Sequence, residues 1–264
     1  MIFTHIPKCA GTSFIRLLRR WFREGYCHVH QDESTDRPLG RADTKDDTGE
    51  WNEYVRVIHS HFDAGRGYGL PNHYPEIQQY FALMRDPFDV LVSMYFFAKG
   101  RSQRGEFKYR GKTVDIREHF PDVSAYVAAD QAWLENHLPT DMTEDNCEEY
   151  VASRFVYLGN FENLQESIDH LAFVLGKRRQ ILDRKNQANY DEELPESLRE
   201  LIYERYPRAR RFHEVSQSTY RVPGFDSASI EPAINAASGQ KATSDGPQGF
   251  KRWLARWKRR SVRD

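Results

Sequence analysis

Cysteine is scarce in this chain of 264 residues, and it lacks both long apolar runs and a surplus of one charge. Three cysteines, Cys9, Cys27 and Cys147, are too few and too scattered for a disulfide framework. That predicts a reducing compartment, the cytoplasm. No stretch offers the roughly 20 consecutive apolar residues that a bilayer-spanning helix requires. The first residues also lack the basic region and apolar segment that direct secretion. With 38 Lys and Arg against 39 Asp and Glu the net charge is −1. A general nucleic-acid binder needs a cationic surplus, so that class is excluded, while local basic patches remain open. No internal repeat is present.

What the chain does have is an alternation of short apolar runs and helical patterns. Residues 1–6, 26–30, 54–62, 80–84 and 155–159 read as strands. Residues 13–23 read as a helix carrying Phe14, Leu17, Leu18 and Trp21 on one face, with Gly25 placed to terminate it. Further helices are predicted over 88–99, 123–136, 143–153, 164–175 and 194–215, the last broken near Pro207. Residues 31–52 read as a solvated excursion and 100–117 as a basic loop. The fold class is therefore α/β, a largely parallel central sheet flanked by helices, whose ligands sit beyond the carboxyl ends of the strands. Three segments follow: a domain over 1–221, a flexible linker over 222–249, rich in Ser, Ala, Gly and Pro, and a basic amphipathic segment over 250–264.

The loop "HIPKCAGTSF" (5–14) joins the first strand to the first helix. One reading is an ordinary turn with Thr12 or Ser13 as the helix N-cap. The other is an anion cradle, in which the first amides of a helix grip a phosphate. It is not a nucleoside-triphosphate loop: G-x-x-x-x-G-K-[ST] aligned on Gly11 needs glycine at Ile6 and lysine at Thr12. The only lysine, Lys8, precedes the glycine and can reach the far end of a group held by Gly11, Thr12 and Ser13. Downstream, "RDPFDVLVS" (85–93) puts Arg85 at a strand end and Ser93 eight residues later. The bland alternative for Arg85 is an ion pair with Asp86 or Asp89. In "VIHSHF" (57–62), His59 and His61 share a face if the segment is extended. Cys27, His28, His30, His59 and His61 lack a C-x-x-C pair or a settled ligand spacing, so no metal site is assigned.

Together, in this order and separation, these segments resemble sulfotransferases that use 3′-phosphoadenosine-5′-phosphosulfate (PAPS). The resemblance is greatest to the carbohydrate group that includes heparan sulfate 2-O-sulfotransferase and related bacterial proteins. It runs over roughly 1–215, and "YLGNFENLQESIDHLAFVLG" (157–176) is similar to that family's later strand–helix unit. It implies a P-loop-like sulfotransferase fold and a 5′-phosphosulfate loop of Pro7, Lys8, Cys9, Ala10, Gly11, Thr12 and Ser13. It also implies a 3′-phosphate site of Arg85 and Ser93, and a histidine base without metal. His61, which precedes a glycine-containing loop, fits the base position better, with His59 orienting it or touching the acceptor. Arg184, Lys185 and Asn186 are weaker cofactor candidates. The expected reaction moves a sulfuryl group from PAPS to a hydroxyl of a carbohydrate or glycolipid.

Two alternatives stay open at this point. One is a nucleotide-dependent kinase with Asp86 as a metal-binding acid. The other is an inactive glycan-binding protein of the same fold. The basic run 99–112, with Phe107 and Tyr109 interleaved, is expected to attract an anionic acceptor. In 250–264, Phe250, Trp253, Leu254 and Trp257 fall on one side of a helical pattern among seven cations. That pattern suits peripheral contact with an anionic membrane surface, here the inner membrane.

Overall fold

The apolar runs read from the sequence become strands of one six-stranded sheet in a computed structural model. It describes residues 1–31, 38–40, 53–109, 112–129, 133–182 and 194–218. Arg184, Lys185, Asn186 and the segments 222–249 and 250–264 lie outside the described residues. In chain order the strands are β1 (Ile2–Thr4), β2 (Tyr26–Gln31), β3 (Pro38–Gly40), β4 (Val57–Ser60), β5 (Tyr80–Met84), β6 (Lys108–Tyr109), β7 (Lys112–Thr113) and β8 (Phe155–Asn160). The sheet runs β3-β2-β4-β1-β5-β8, and β6 with β7 forms a separate hairpin. Five strands are mutually parallel, and only β3, at the edge, is antiparallel to its neighbour β2. All five residues of β5 are buried, as expected of a central parallel strand covered on both faces.

The helices are α1 (Gly11–Phe22), α2 (Pro87–Gln103), α3 (Ile116–His119), α4 (Val123–Ala129), α5 (Trp133–Asn136), α6 (Cys147–Arg154), α7 (Leu164–Val174), α8 (Glu196–Arg205) and α9 (Pro207–Ser218). From α1, Phe14 packs on Phe3 of β1 (4.6 Å between ring centres) and meets Phe81 of β5 edge-on. From α9, Phe212 meets Phe155 of β8 at 5.4 Å. The chain divides into two units, residues Met1–Glu162 with Leu182–Tyr220, and Asn163–Ile181 with Arg221–Asp264. In the second, α7 ends at a left-handed Gly176, with the Lys177 N–H donating to the Ala172 carbonyl. There Asp169 accepts hydrogen bonds from Gln165 and Arg179 at 2.8 and 2.9 Å. No helix among the described residues is long and apolar enough to cross a membrane.

Several boundaries differ from the sequence expectation, each for a local reason. Gly25 does not terminate α1; Arg23 caps it at a positive φ of 47° and Gly25 follows in a 3-10 turn. Gly25 is glycine because a Cβ there would come within 2.9 Å of the Tyr54 carbonyl oxygen. The basic stretch 100–117 is not one loop, since α2 continues through Gly100 to Gln103 and stops at Gly105, where φ is +67°. Residues 143–146 do not start a helix. The Thr143 N–H donates to Asn146 Oδ1 and the Asn146 N–H to Thr143 Oγ1, closing a side-chain turn ahead of α6. Within 123–136 the described residues are helical, as α4 and α5, and residues 130–132 lie outside the described residues. Within 31–52, Pro38–Gly40 adds an edge strand, where proline's missing N–H costs nothing.

Candidate active site

Because β1, β4, β5 and β8 are parallel, their carboxyl ends share one edge of the sheet, where residues 5–13, 61–66 and 85–86 gather. The loop after β1 turns through two left-handed residues that are not glycine, Lys8 (φ 66°) and Ala10 (φ 60°). Such conformations cost about 1 kcal/mol or more each and concentrate at functional sites. Ala10, rather than Thr12 or Ser13, is the N-cap of α1, and no side chain caps the helix. The correction has a structural cause: the left-handed turn at Ala10 starts the helix two residues early. The N–H groups of Ser13 and Phe14 donate to the Ala10 carbonyl at 3.1 Å. Those of Gly11 and Thr12 have no acceptor among the described residues. They sit at the positive end of the α1 dipole.

Cys9 is buried at the bottom of this loop, with its sulfur facing the Arg85 backbone N–H, and burial pushes its thiol up to about 12. Lys8 Nζ lies 4.4 Å from the centre of the exposed Phe97 ring on α2. Burial first, and then the like charge of Arg85, lower its pKa. Lys8 and Arg85 therefore share one field.

The Arg85–Asp86 turn is held from several sides. The Arg85 guanidinium lies over the Phe161 ring at 4.7 Å and meets Asp89 at 3.5 Å. Its Nε is buried without a hydrogen-bond partner among the described residues. The Asp89 contact is the ion pair given above as the alternative reading of Arg85; burial, first, raises the Asp89 carboxyl, although Arg85 pulls it down. Asp86 caps α2 by accepting from the Phe88 N–H at 2.8 Å. Its other oxygen takes Arg199 Nη1 at 2.8 Å and the Tyr203 hydroxyl at 2.9 Å, both from α8. The Asp86 N–H donates to Glu162 at 3.0 Å, and Glu162 also faces His213 of α9 at 3.4 Å. Burial works to raise the Glu162 carboxyl, but these hydrogen bonds outweigh it and hold the group below its ordinary value. Ser93 lies buried on α2, two turns in from Arg85.

The histidines lie on the same sheet face as Phe3. In register across the sheet, Phe81, Phe3, His59 and His28 make one row. His59 is fully buried in that row, stacked on His28 at 4.4 Å. Its Nδ1 pairs with the Tyr26 hydroxyl at 2.6 Å and its Nε2 with His5 Nδ1 at 3.0 Å. His5 and His61 stack at 3.9 Å beyond the end of β4. His61 is half-buried, and its Nδ1–H donates to the His5 carbonyl at 2.8 Å, which leaves the lone pair of the neutral ring on Nε2. Burial, then the like charges of His61, His59, His28 and His137, hold His5 well below the usual histidine range.

The structure thus brings Pro7 through Ser13, Lys8 and Arg85 to one edge, with His61 at a neighbouring strand end, and leaves His59 one row deeper. Among the described residues no group of three or more His, Cys, Asp or Glu is arranged to hold a metal ion. Asp86, the acid of the kinase alternative, is taken up by α2 and α8. On the basic rim, Arg104 pairs doubly with Glu106 at 3.0 and 3.1 Å, so it presents less charge than the sequence suggests. The side chains of Lys108, Arg110 and Lys112 lie outside the described set. Sequence reasoning gave no role to His5, Tyr26, Phe97 or Glu162. His5 had one available signal, its period-two spacing from Phe3; the other three meet the site only through tertiary contacts.

No curated protein matches the sequence. Among solved structures the chain resembles a sulfotransferase from Alicyclobacillus acidocaldarius at 16% identity, over 81% of this chain and 94% of that one, with a TM-score of 0.40. That likeness is too distant to bear on residue roles. The sequence profile described as "Sulfotransferase family" matches residues 1–221. Over this span, which holds the whole strand edge described above, the chain belongs to the sulfotransferase family.

Proposed function

We propose that this sulfotransferase moves a sulfuryl group from PAPS to a hydroxyl of a carbohydrate or glycolipid, with His61 as general base and no metal. The observation that carries the reading is the shared strand edge: Lys8, Arg85 and the acceptor-less amides of Gly11 and Thr12 meet there beside His61. The residues fit a doubly phosphorylated nucleotide. Arg85 keeps a buried Nε without a partner, and the first turn of α1 presents N–H groups that nothing among the described residues accepts. Bound there, PAPS would supply the sulfuryl group on its 5′-phosphate.

Pro7 through Ser13 would hold the 5′ end through backbone N–H groups. Arg85 and Ser93 would hold the 3′-phosphate, the guanidinium fork matching its oxygens. Lys8 would offset negative charge at the 5′ end as it grows. His61 Nε2 would take the acceptor's hydroxyl proton, and the Nδ1–H bond to the His5 carbonyl fixes the tautomer for that task. His59, with both ring nitrogens engaged inside the sheet, would position rather than touch the acceptor. The exposed Phe97, with Lys8 and Arg101 near its ring, suits an anionic sugar at the rim.

Thermal unfolding with nucleotides tests the cofactor. Adenosine 3′,5′-bisphosphate without magnesium should raise the melting temperature, and ATP with magnesium should not. The reverse pattern would overturn the reading in favour of a kinase. A mass-spectrometric screen of sugars, glycolipids and peptides with PAPS then identifies the acceptor, and a peptide product alone would overturn the carbohydrate class.

A further inference from the structure

The buried chain Tyr26–His59–His5 reaches the phosphate loop, and its hydrogens can be assigned from one end. Tyr26 is buried, and burial raises its phenol to about 12, so it keeps its proton. The Arg19 guanidinium lies beside its ring, 5.6 Å from the centre, and has no lone pair to offer. The phenol proton therefore needs an acceptor, and among the described residues His59 Nδ1, 2.6 Å away, is the one in place. A neutral His59 that accepts at Nδ1 carries its hydrogen on Nε2 and donates it to His5 Nδ1 at 3.0 Å. A neutral His5 that accepts at Nδ1 must in turn carry its hydrogen on Nε2.

That nitrogen lies at the first residue of α1. A Cβ placed on Gly11 would fall 1.5 Å from His5 Nε2, so glycine at position 11 makes room for this imidazole rather than for a ligand. His5 itself is only 8% exposed. Its backbone is also fixed, since its N–H donates to the Ser60 carbonyl and its own carbonyl accepts from His61.

We infer that His5 is an additional phosphate-binding residue of the loop. Its Nε2–H joins the amides of Gly11 and Thr12 as a donor to the 5′-phosphate, and Tyr26 and His59 are positioning residues that lock its tautomer. The assignment rests on the cofactor reading above and extends it to three side chains inside the sheet. With the opposite tautomer, His5 would present a lone pair to the phosphate and repel it.

The test combines a spectrum with a binding comparison on the full chain. In protein labelled with ¹⁵N-histidine, two-bond ¹H–¹⁵N correlation spectra should show His5 and His59 as Nε2–H tautomers and His61 as the Nδ1–H tautomer. Tyr26→Phe, which deletes only the phenol oxygen, should shift His5 and His59 toward mixed tautomers. His5→Phe keeps a flat ring over Gly11 and removes the donor. It should weaken adenosine 3′,5′-bisphosphate by about 10- to 100-fold, the range for a hydrogen bond to a charged group. Adenosine 3′-monophosphate, which lacks the 5′-phosphate, should be unaffected. A wild-type His5 protonated on Nδ1, or equal loss for both nucleotides, would overturn the role of His5 alone. A wild-type chain that binds neither nucleotide would overturn the cofactor reading, and the inference with it.

Discussion

At the scale of single residues, the site sets apart two histidines that share a strand face, of which the family resemblance favours His61 as the base. His59 is sealed between Tyr26, His28 and His5, whereas His61 stands half-buried at the strand end. His61→Ala should fold, bind adenosine 3′,5′-bisphosphate and lose about 10²- to 10⁴-fold in turnover, the usual contribution of a general base. His59→Ala should instead lower the melting temperature, because it leaves Tyr26 and His5 without partners inside the sheet. Steady-state kinetics and thermal melts of the two variants decide this; near-normal turnover in His61→Ala would remove it from the base role. Arg85→Ala should weaken adenosine 3′,5′-bisphosphate by about 1.5–3 kcal/mol and adenosine 5′-phosphosulfate far less. Calorimetric titration of both nucleotides measures the difference, and equal losses would detach Arg85 from the 3′-phosphate.

Elements in this fold are fastened end to end by carboxylates. Asp86 caps α2 while tying it to α8, and Glu135 on α5 accepts from the Ala209 N–H at 3.0 Å, in the first turn of α9. Burial raises the Glu135 carboxyl, although the Ala209 amide and Arg208 pull it the other way. Removing it would orphan a buried amide, so Glu135→Ala should cost about 1–3 kcal/mol in urea unfolding. A cost near zero would mean that α9 is held by its apolar face alone. The rim formed by the end of α2 carries a different expectation. Glu106 holds Arg104 doubly at 3.0 and 3.1 Å and meets Arg101 only at 4.0 Å, so Arg101→Glu should raise the acceptor KM and its salt dependence more than Arg104→Glu does.

For the molecule as a whole, buried His5 makes stability depend on pH. His5 has a folded pKa depressed below 6.5, so the unfolded chain binds more protons as the solution is acidified. The stability it contributes is complete above pH 6.5 and is lost as the pH falls towards the lower, folded value. Urea midpoints measured from pH 7.5 down to 5.5 should fall, and more steeply in wild type than in His5→Phe. Parallel slopes would assign the acid sensitivity elsewhere. The basic segment 250–264 is a separate matter of charge and apolar spacing. Liposomes of graded anionic content should co-sediment the full chain and release one ending at Gly249. Binding that survives the truncation would remove the segment from that role.

How much of this was legible beforehand varies with the range of the interaction involved. Composition and local pattern determined the α/β class, the strand at Tyr80–Met84 to the residue, and the strand-to-helix turn around Lys8 and Gly11. Those features follow from alternation, turn chemistry and spacing, all of which act over a few residues. The start of α1 at Gly11, the reason for Gly25, and the occupation of Asp86 by Arg199 and Tyr203 were decided by tertiary structure. So was the line from Tyr26 through His59 to His5. It joins residues 54 and 33 positions apart, which meet only because β1, β2 and β4 pair in one particular register. A one-residue slip would turn the same histidines to the opposite face, so the sequence sets which groups are available and strand pairing sets which of them touch.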